Sequence, residues 1–276
     1  MRLPSSIRPW ATQNGAREPS VGRGRALSVA GLLGLLDADL EGGERACREG
    51  LRMSGSGEEW YRALCLNVLG TAARYRERWE EARDRYSEAL ALATAEDLWW
   101  PAALVQSNLG VLAELEGRRL EAVERHEQAV AIARQGGDAW LAAASLMNSG
   151  RAVRQLGDLD RASALQAEAL RSFVGLENAW GVAACVDLSA TIASDRGQHF
   201  RAARLYGAEE AIRERARVAR WPTIRAEHEA GMQATASALG EAAWARAHAQ
   251  GRALTQEEAV AEARTSAALR PVVAAG

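Results

Sequence analysis

Four tryptophans stand forty residues apart, at Trp60, Trp100, Trp140 and Trp180, and the spacing is not confined to the indoles. Gly70, Gly110 and Gly150 keep the same step, with Ala190 in the fourth place. Gly117, Gly157 and Gly197 keep it, as do Ala82, Ala122, Ala162 and Ala202, and Ala89, Ala129 and Ala169. No insertion interrupts the period from Trp60 to Ala202. A fixed period of this length marks a repeat array, in which each unit buries its apolar face against the next. Arrays of this kind present a surface to a partner far more often than they house a reaction.

The regular units are 58–94, 98–134, 138–174 and 178–215, and each has room for two helices joined by short turns. Strands do not fit, because no stretch alternates apolar and polar residues. Helix A runs from just before each Trp to about fifteen residues beyond it, with Asp138 and Asn178 placed to cap the first free amides. Gly117, Gly157 and Gly197 fall where helix A must stop, a place that favours a left-handed residue. Glu77 stands there in the first full unit, so its turn is expected to differ. Helix B carries Ala82, Tyr86, Ala89 and Ala93 at i, i+4, i+7 and i+11, hence on one face. Ala122, His126, Ala129 and Ala133 repeat that face, and so do Ala162, Gln166, Ala169 and Phe173. Small residues there let helices approach closely.

Both ends depart from the pattern. Residues 1–24, with Pro4, Pro9, Pro19 and three glycines, read as a disordered head or linker. Residues 26–53 read as a worn copy of the repeat, so the array is placed at 25–215 and holds about five helix pairs. After Arg215 the period is expected to fail. Residues 216–276 then form a divergent helical cap, with helices at about 223–239, 241–250 and 255–269. Thr255 and Glu258 have capping-box spacing at the start of the last one.

Charge excludes some functions. The formal net charge is −2, which offers no strong field to nucleic acid or to an anionic membrane. The chain has no lysine, so a P-loop lysine and a Schiff-base amine are both missing. Cys47, Cys65 and Cys185 are odd in number and show no Cys-x-x-Cys spacing, which fits buried thiols in a reducing cytoplasm. Arg23 and Arg25 precede an apolar run at Ala26–Leu36, but that run is short of the roughly 20 residues a bilayer requires. It starts late and ends in acids, so it reads as a repeat helix rather than a signal segment.

These residues resemble the tetratricopeptide repeat family. Leu69-Gly70, Leu109-Gly110 and the variant Ser149-Gly150 match its helix-A Leu-Gly pair, and Asn108 and Asn148 its preceding asparagine. Ala82, Ala122, Ala162 and Ala202 match its small helix-B position, and Ala89, Ala129 and Ala169 the alanine seven residues later. The Trp-led forty-residue form, with tail segments Ala202–Ala208, Leu239–Trp244 and Gly251–Thr255, is similar to the repeat arm of bacterial LuxR-type and related signal-transduction ATPase regulators. The resemblance covers about residues 26–265. It implies an all-α, right-handed superhelix (solenoid) of helix pairs. A P-loop ATPase before such an arm and a helix-turn-helix after it have no counterpart here. The chain is therefore expected to be a stand-alone arm or a fragment of a larger regulator.

No catalytic constellation, cofactor motif or metal-ligand spacing stands out. His126, His199, His228 and His248 are scattered, and His228-Glu229 lacks a second His at i+4. There is no Gly-x-Ser-x-Gly elbow. The periodic Trps read as plugs in the seam between units. The resemblance implies that helix A lines a concave groove, and the matching positions are Asn67, Thr71, Arg74, Ser107, Glu114, Met147, Arg151, Arg154, Asp187 and Thr191. They lack the Lys/Asn arrangement of carboxylate-clamp members. Arg151 and Arg154, at i and i+3, can grip a carboxylate or an acidic peptide. The expected function is a cytoplasmic, non-catalytic protein-interaction scaffold or regulatory arm with a protein or peptide partner. The alternative is the ligand-sensing arm of a transcription regulator that binds a small inducer in the groove. Nucleic acid and membrane are not expected partners, and no cofactor or metal is expected.

Overall fold

A computed structural model describes residues 19–36, 39–220 and 222–264. The described residues are all-α, with thirteen helices and no strand. In chain order they are α1 (Pro19–Leu36), α2 (Leu40–Met53), α3 (Glu59–Tyr75), α4 (Trp79–Ala95), α5 (Trp99–Leu115), α6 (Arg119–Gln135) and α7 (Ala139–Gln155). Then follow α8 (Leu159–Gly175), α9 (Ala179–Asp195), α10 (His199–Ala216), α11 (Pro222–Leu239), α12 (Glu241–Arg252) and α13 (Gln256–Arg264). Contacts divide the chain into two compact units whose boundary falls between Ser145 and Leu146, inside α7. Residues 19–24, expected in the head, already belong to α1, while residues 1–18 and 265–276 lie outside the described residues. No described helix is long and apolar enough to cross a membrane.

The repeat has a finer grain than forty. From Gly57 to Arg217, residues with φ between 50° and 88° fall at Gly57, Glu77, Asp97, Gly117, Gly137, Gly157, Glu177, Gly197 and Arg217, which is every twentieth residue. Each helix from α3 to α9 has seventeen residues, and three more make the turn. The expectation that Glu77 gives a different turn is not met, because its φ of 58° reproduces the glycine geometry. The reason is that the turn is set by helices on both sides, so the side chain takes the strain. Glu77 and Glu177 are exposed. Glu77→Gly and Glu177→Gly should therefore each stabilise the fold, by about 0.5–1 kcal/mol once glycine's unfolded-state entropy is subtracted. A rise in urea midpoint at unchanged slope checks this.

Caps and faces follow from the sequence. The Asp138 carboxylate accepts from the Leu141 amide at 2.9 Å, and Asn178 accepts from Gly181 at 2.7 Å. The capping box is formed in both directions: Thr255 N–H donates to Glu258 at 2.8 Å, and Glu258 N–H to the Thr255 hydroxyl at 3.2 Å. In α4 the buried residues are Ala82, Tyr86, Ala89 and Ala93, the face predicted from the spacing. Trp60 and Trp100 stack with centroids 5.6 Å apart, and Trp140 packs against the same cluster, so within this unit the indoles do fill the seam. All three cysteines are buried.

Beyond Arg215 the chain keeps one element of the packing pattern. Helix α11 packs on α9 at a sequence offset of forty-one residues, joining Asp187 to His228 and Ser194 to Thr235. The same offset joins Asn67 to Asn108 between α3 and α5. The packing offset therefore extends to α11, although the twenty-residue spacing of the turns ends at Arg217.

Candidate functional site

The helix-A positions singled out above are buried or nearly so, and most of them are used inside their own repeat. One helix-B position decides this. Tyr86, His126, Gln166 and Tyr206 stand forty apart, and all four are almost wholly inaccessible. In the first unit, Tyr86 shares a 2.9 Å hydrogen bond with Thr71 and also reaches Arg74, while His126 meets the Glu114 carboxylate at 2.8 Å. Each ring lies against the facing helix-A glycine. A Cβ on Gly70 would stand 2.7 Å from the Tyr86 ring, and one on Gly110 2.5 Å from the His126 ring. Asn108 donates to Asn67 at 2.7 Å, and Ser107 is buried. Asn67, Thr71, Arg74 and Glu114 thus satisfy neighbouring side chains.

In the second unit Thr191 shares a 3.3 Å hydrogen bond with Tyr206, as its counterpart does with Tyr86. The third repeat differs. Its polar plug, Gln166, turns away to donate to the Cys185 carbonyl at 3.0 Å. Arg151 and Arg154 are left to other partners. Arg151 donates to Asn148 at 3.3 Å and stands 3.2 Å from Glu227 on α11. Arg154 pairs with Asp195 at 2.7 Å and with the other oxygen of Glu227. Both guanidiniums are mostly covered, with 11% and 15% of the side chain exposed, whereas Glu227 keeps 28%. Burial works against the Arg154 charge, but Glu227 and Asp195 outweigh it, and its pKa is raised. Met147, one turn before Arg151 on α7, is buried.

Beneath this pair lies a buried ionic group that sequence spacing did not reveal. His228 donates from Nδ1 to Asp187 at 2.5 Å, and Tyr206 meets its ring edge-on at 5.3 Å. Asp187, Glu209 and His228 each offer one potential ligand atom within 4.8 Å of the others, and all three are buried. The donor types suit a cation, but the charge is already matched: Arg213 and Arg220 bind the two oxygens of Glu209, the latter at 2.5 Å. Burial and then the Asp187 charge push the Glu209 carboxyl up, and the arginines pull it down; the net direction is up. A metal ion here would add buried positive charge beside two guanidiniums, so these residues do not make a good metal centre. Only the spatial pairing of α9, α10 and α11 assembles them. A forty-residue ladder through Asn108, Asn148, Leu188 and His228 was the available signal.

Two shallow depressions accompany these features. One, of about 230 Å³, is lined by Val174, Gln256 and Val260, and the other, of about 240 Å³, by Arg48, Leu69 and Arg85. Both fall short of the roughly 300–1,000 Å³ typical of small-molecule sites, and neither touches Arg151 or Arg154.

Residues 101–173 match the family model of the tetratricopeptide repeat. A search of curated proteins gave no match. Among solved structures, the fold is similar to that of Rap protein complexed with Competence and Sporulation Factor, with a TM-score of 0.63 at 16% identity, covering 90% of this chain and 78% of that one. It is also similar to BtubC (BKLC) from P. vanneervenii, with a TM-score of 0.52 at 17% identity and 91% of each chain covered. At these identities the likeness is one of fold: tetratricopeptide-type helical repeats.

Proposed function

We propose that this tetratricopeptide-repeat chain is a protein-interaction scaffold or regulatory arm without catalytic activity, and that Arg151 and Arg154 on α7 recognise an acidic group of its protein partner. The observation that carries the reading is the convergence of two largely covered guanidiniums on a single carboxylate, Glu227. Charge-assisted hydrogen bonds shielded from water contribute about 1.5–3 kcal/mol each, enough to define a binding hot spot. The third repeat is also the one whose plug residue leaves its arginines to other partners. The Trp-led forty-residue step supports placing the chain with the arms of bacterial signal-transduction regulators, in the cytoplasm. A small inducer is the weaker reading, because the shallow depressions lie away from the arginines.

Arg151→Gln with Arg154→Gln should weaken a protein partner at least tenfold in calorimetric titration, while circular dichroism stays that of an intact helical fold. Unchanged affinity would rule out the arginine pair. Differential scanning fluorimetry against metabolite pools separates the two classes of function. Ligand at a hundred times Kd stabilises by about 2.7 kcal/mol, so a strong shift with a metabolite would favour the sensor.

A further inference from the structure

We propose that Glu227 is an internal stand-in for the partner's carboxylate, a latch that holds α11 across Arg151 and Arg154 until an acidic peptide segment takes its place. This rests on the arginine-pair reading above and adds the regulation of that site.

The argument starts from how α11 is held. The described residues it buries are Ile224, His228 and Thr235, with Glu227, Gly231, Met232, Ala236 and Leu239 half-buried beside them. Ile224 is the only large apolar side chain among the buried ones, whereas α10 buries Leu205, Tyr206 and Ile212. Hydrophobic burial scales with apolar area, so it fixes α11 less firmly than α10. Polar contacts add to it. Glu227 meets both arginines, His228 donates to Asp187, and the Thr235 and Ser194 hydroxyls bond at 2.9 Å. Gly231 permits the close approach, since a Cβ there would overlap the Tyr206 hydroxyl.

The chain is not helical on either side of α11, and residues 219–220 are fixed to α10 through Arg213 and Glu209. Between α10 and α11, Arg217 adopts φ 54° and residues 218–220 are not helical. Between α11 and α12 stands Gly240 with φ 77°. A helix held by charge and hydrogen bonds between two non-helical joints undocks at modest cost and responds to a competing charge.

The chemistry of the competitor follows from what Glu227 leaves behind. Arg154 keeps Asp195, and Arg151 keeps only a neutral amide, Asn148, among the contacts described above. One positive charge is then uncompensated, beside a second guanidinium within reach. That arrangement suits one carboxylate on a peptide, repels a cation, and offers a neutral amide a hydrogen bond without the charge match. Because peptide binding and latch closure compete for the same two arginines, each must weaken the other by the same factor.

The probe is a synthetic peptide of glutamates and alanines, with the glutamine version as control, titrated into the full chain. Glu227→Gln should tighten the acidic peptide at least tenfold over wild type, and Arg151→Gln with Arg154→Gln should abolish binding. The glutamine peptide should bind neither. In hydrogen exchange, the acidic peptide should speed α11 amides in wild type and leave those of α9 and α10 unchanged. Glu227→Asp, which keeps the charge, should stay close to wild type and guards against a packing artefact of Gln. Equal affinity of wild type and Glu227→Gln for the acidic peptide would overturn the latch. So would α11 amides that remain as protected as those of α9 when peptide is bound. If the latch fails these tests while the double Gln variant still loses its protein partner, the arginine-pair reading stands and only the regulation is wrong.

Discussion

Glu209→Ala should cost the unit from Leu146 onward about 3–5 kcal/mol, because it strips the counter-charge from a buried ionic group. Glu209 is fully buried, and its oxygens are bound by Arg213 and by Arg220. Their guanidinium-bearing side chains are only 7% and 18% exposed. Without the carboxylate both charges stay in a poorly solvated site, together with a cavity the size of the lost side chain. The contrast is Asp160→Ala, which breaks a pair with Arg196 of the same 2.5 Å length as Arg220–Glu209. Asp160 is 99% exposed, so water already screens it, and its pair contributes roughly 0–1 kcal/mol. Glu209→Gln fills the volume and accepts one hydrogen bond, so it should recover part of the loss. Urea midpoints for the three variants decide it. A Glu209→Ala loss as small as that of Asp160→Ala would show that the site is wetter than its burial implies.

The helical architecture was legible because its determinants are local and periodic. Spacing of Ala82, Tyr86, Ala89 and Ala93 names a buried helix face without reference to any other helix, and Asp138 and Asn178 name caps within three residues of themselves. Glu77 departs from the expectation because the helices on either side impose a positive φ whatever residue stands there. Helix α11 departs from it for a different reason. Trp221-Pro222 reads as a break in the chain, although His228 stands to Asp187 as Asn108 does to Asn67, forty-one residues on.

The candidate site was legible only in part. Arg151 and Arg154 were identifiable as neighbours on one helix face, which i, i+3 spacing guarantees. Their shared partner Glu227 lies 73 residues beyond Arg154, and no local pattern joins them. The helix-A list was also too generous. Thr71, Glu114 and Thr191 match groove positions by register, yet the plugs Tyr86, His126 and Tyr206 draw them into the repeat interior. A residue's place in a repeat gives its direction, and the size of the residue facing it decides what remains for a ligand.

The same substitution should have opposite signs at two glycines of the second unit. Gly150→Ala, in α7, should stabilise. The nearest atoms to a Cβ there are the Ala162 carbonyl oxygen and a Leu188 methyl at 3.4 Å, an ordinary contact, and a helix interior favours Ala over Gly by about 1 kcal/mol. Gly251→Ala, in α12, should destabilise by about 1–3 kcal/mol or more. A Cβ on Gly251 would overlap the backbone carbonyl of Arg204 in α10, and one on Gly207 that of His248 in α12. Each glycine therefore lies on a carbonyl three residues before the other glycine, and a backbone atom cannot rotate away as a side chain can. The two helices would have to separate, and with them Arg252, which pairs with Glu214 at 2.6 Å. Urea midpoints should move up for Gly150→Ala and down for Gly251→Ala. If both rise, α12 rests loosely on α10 and the close crossing is not a constraint on the fold. If both fall, the room beside Gly150 is needed for packing that a methyl group cannot share.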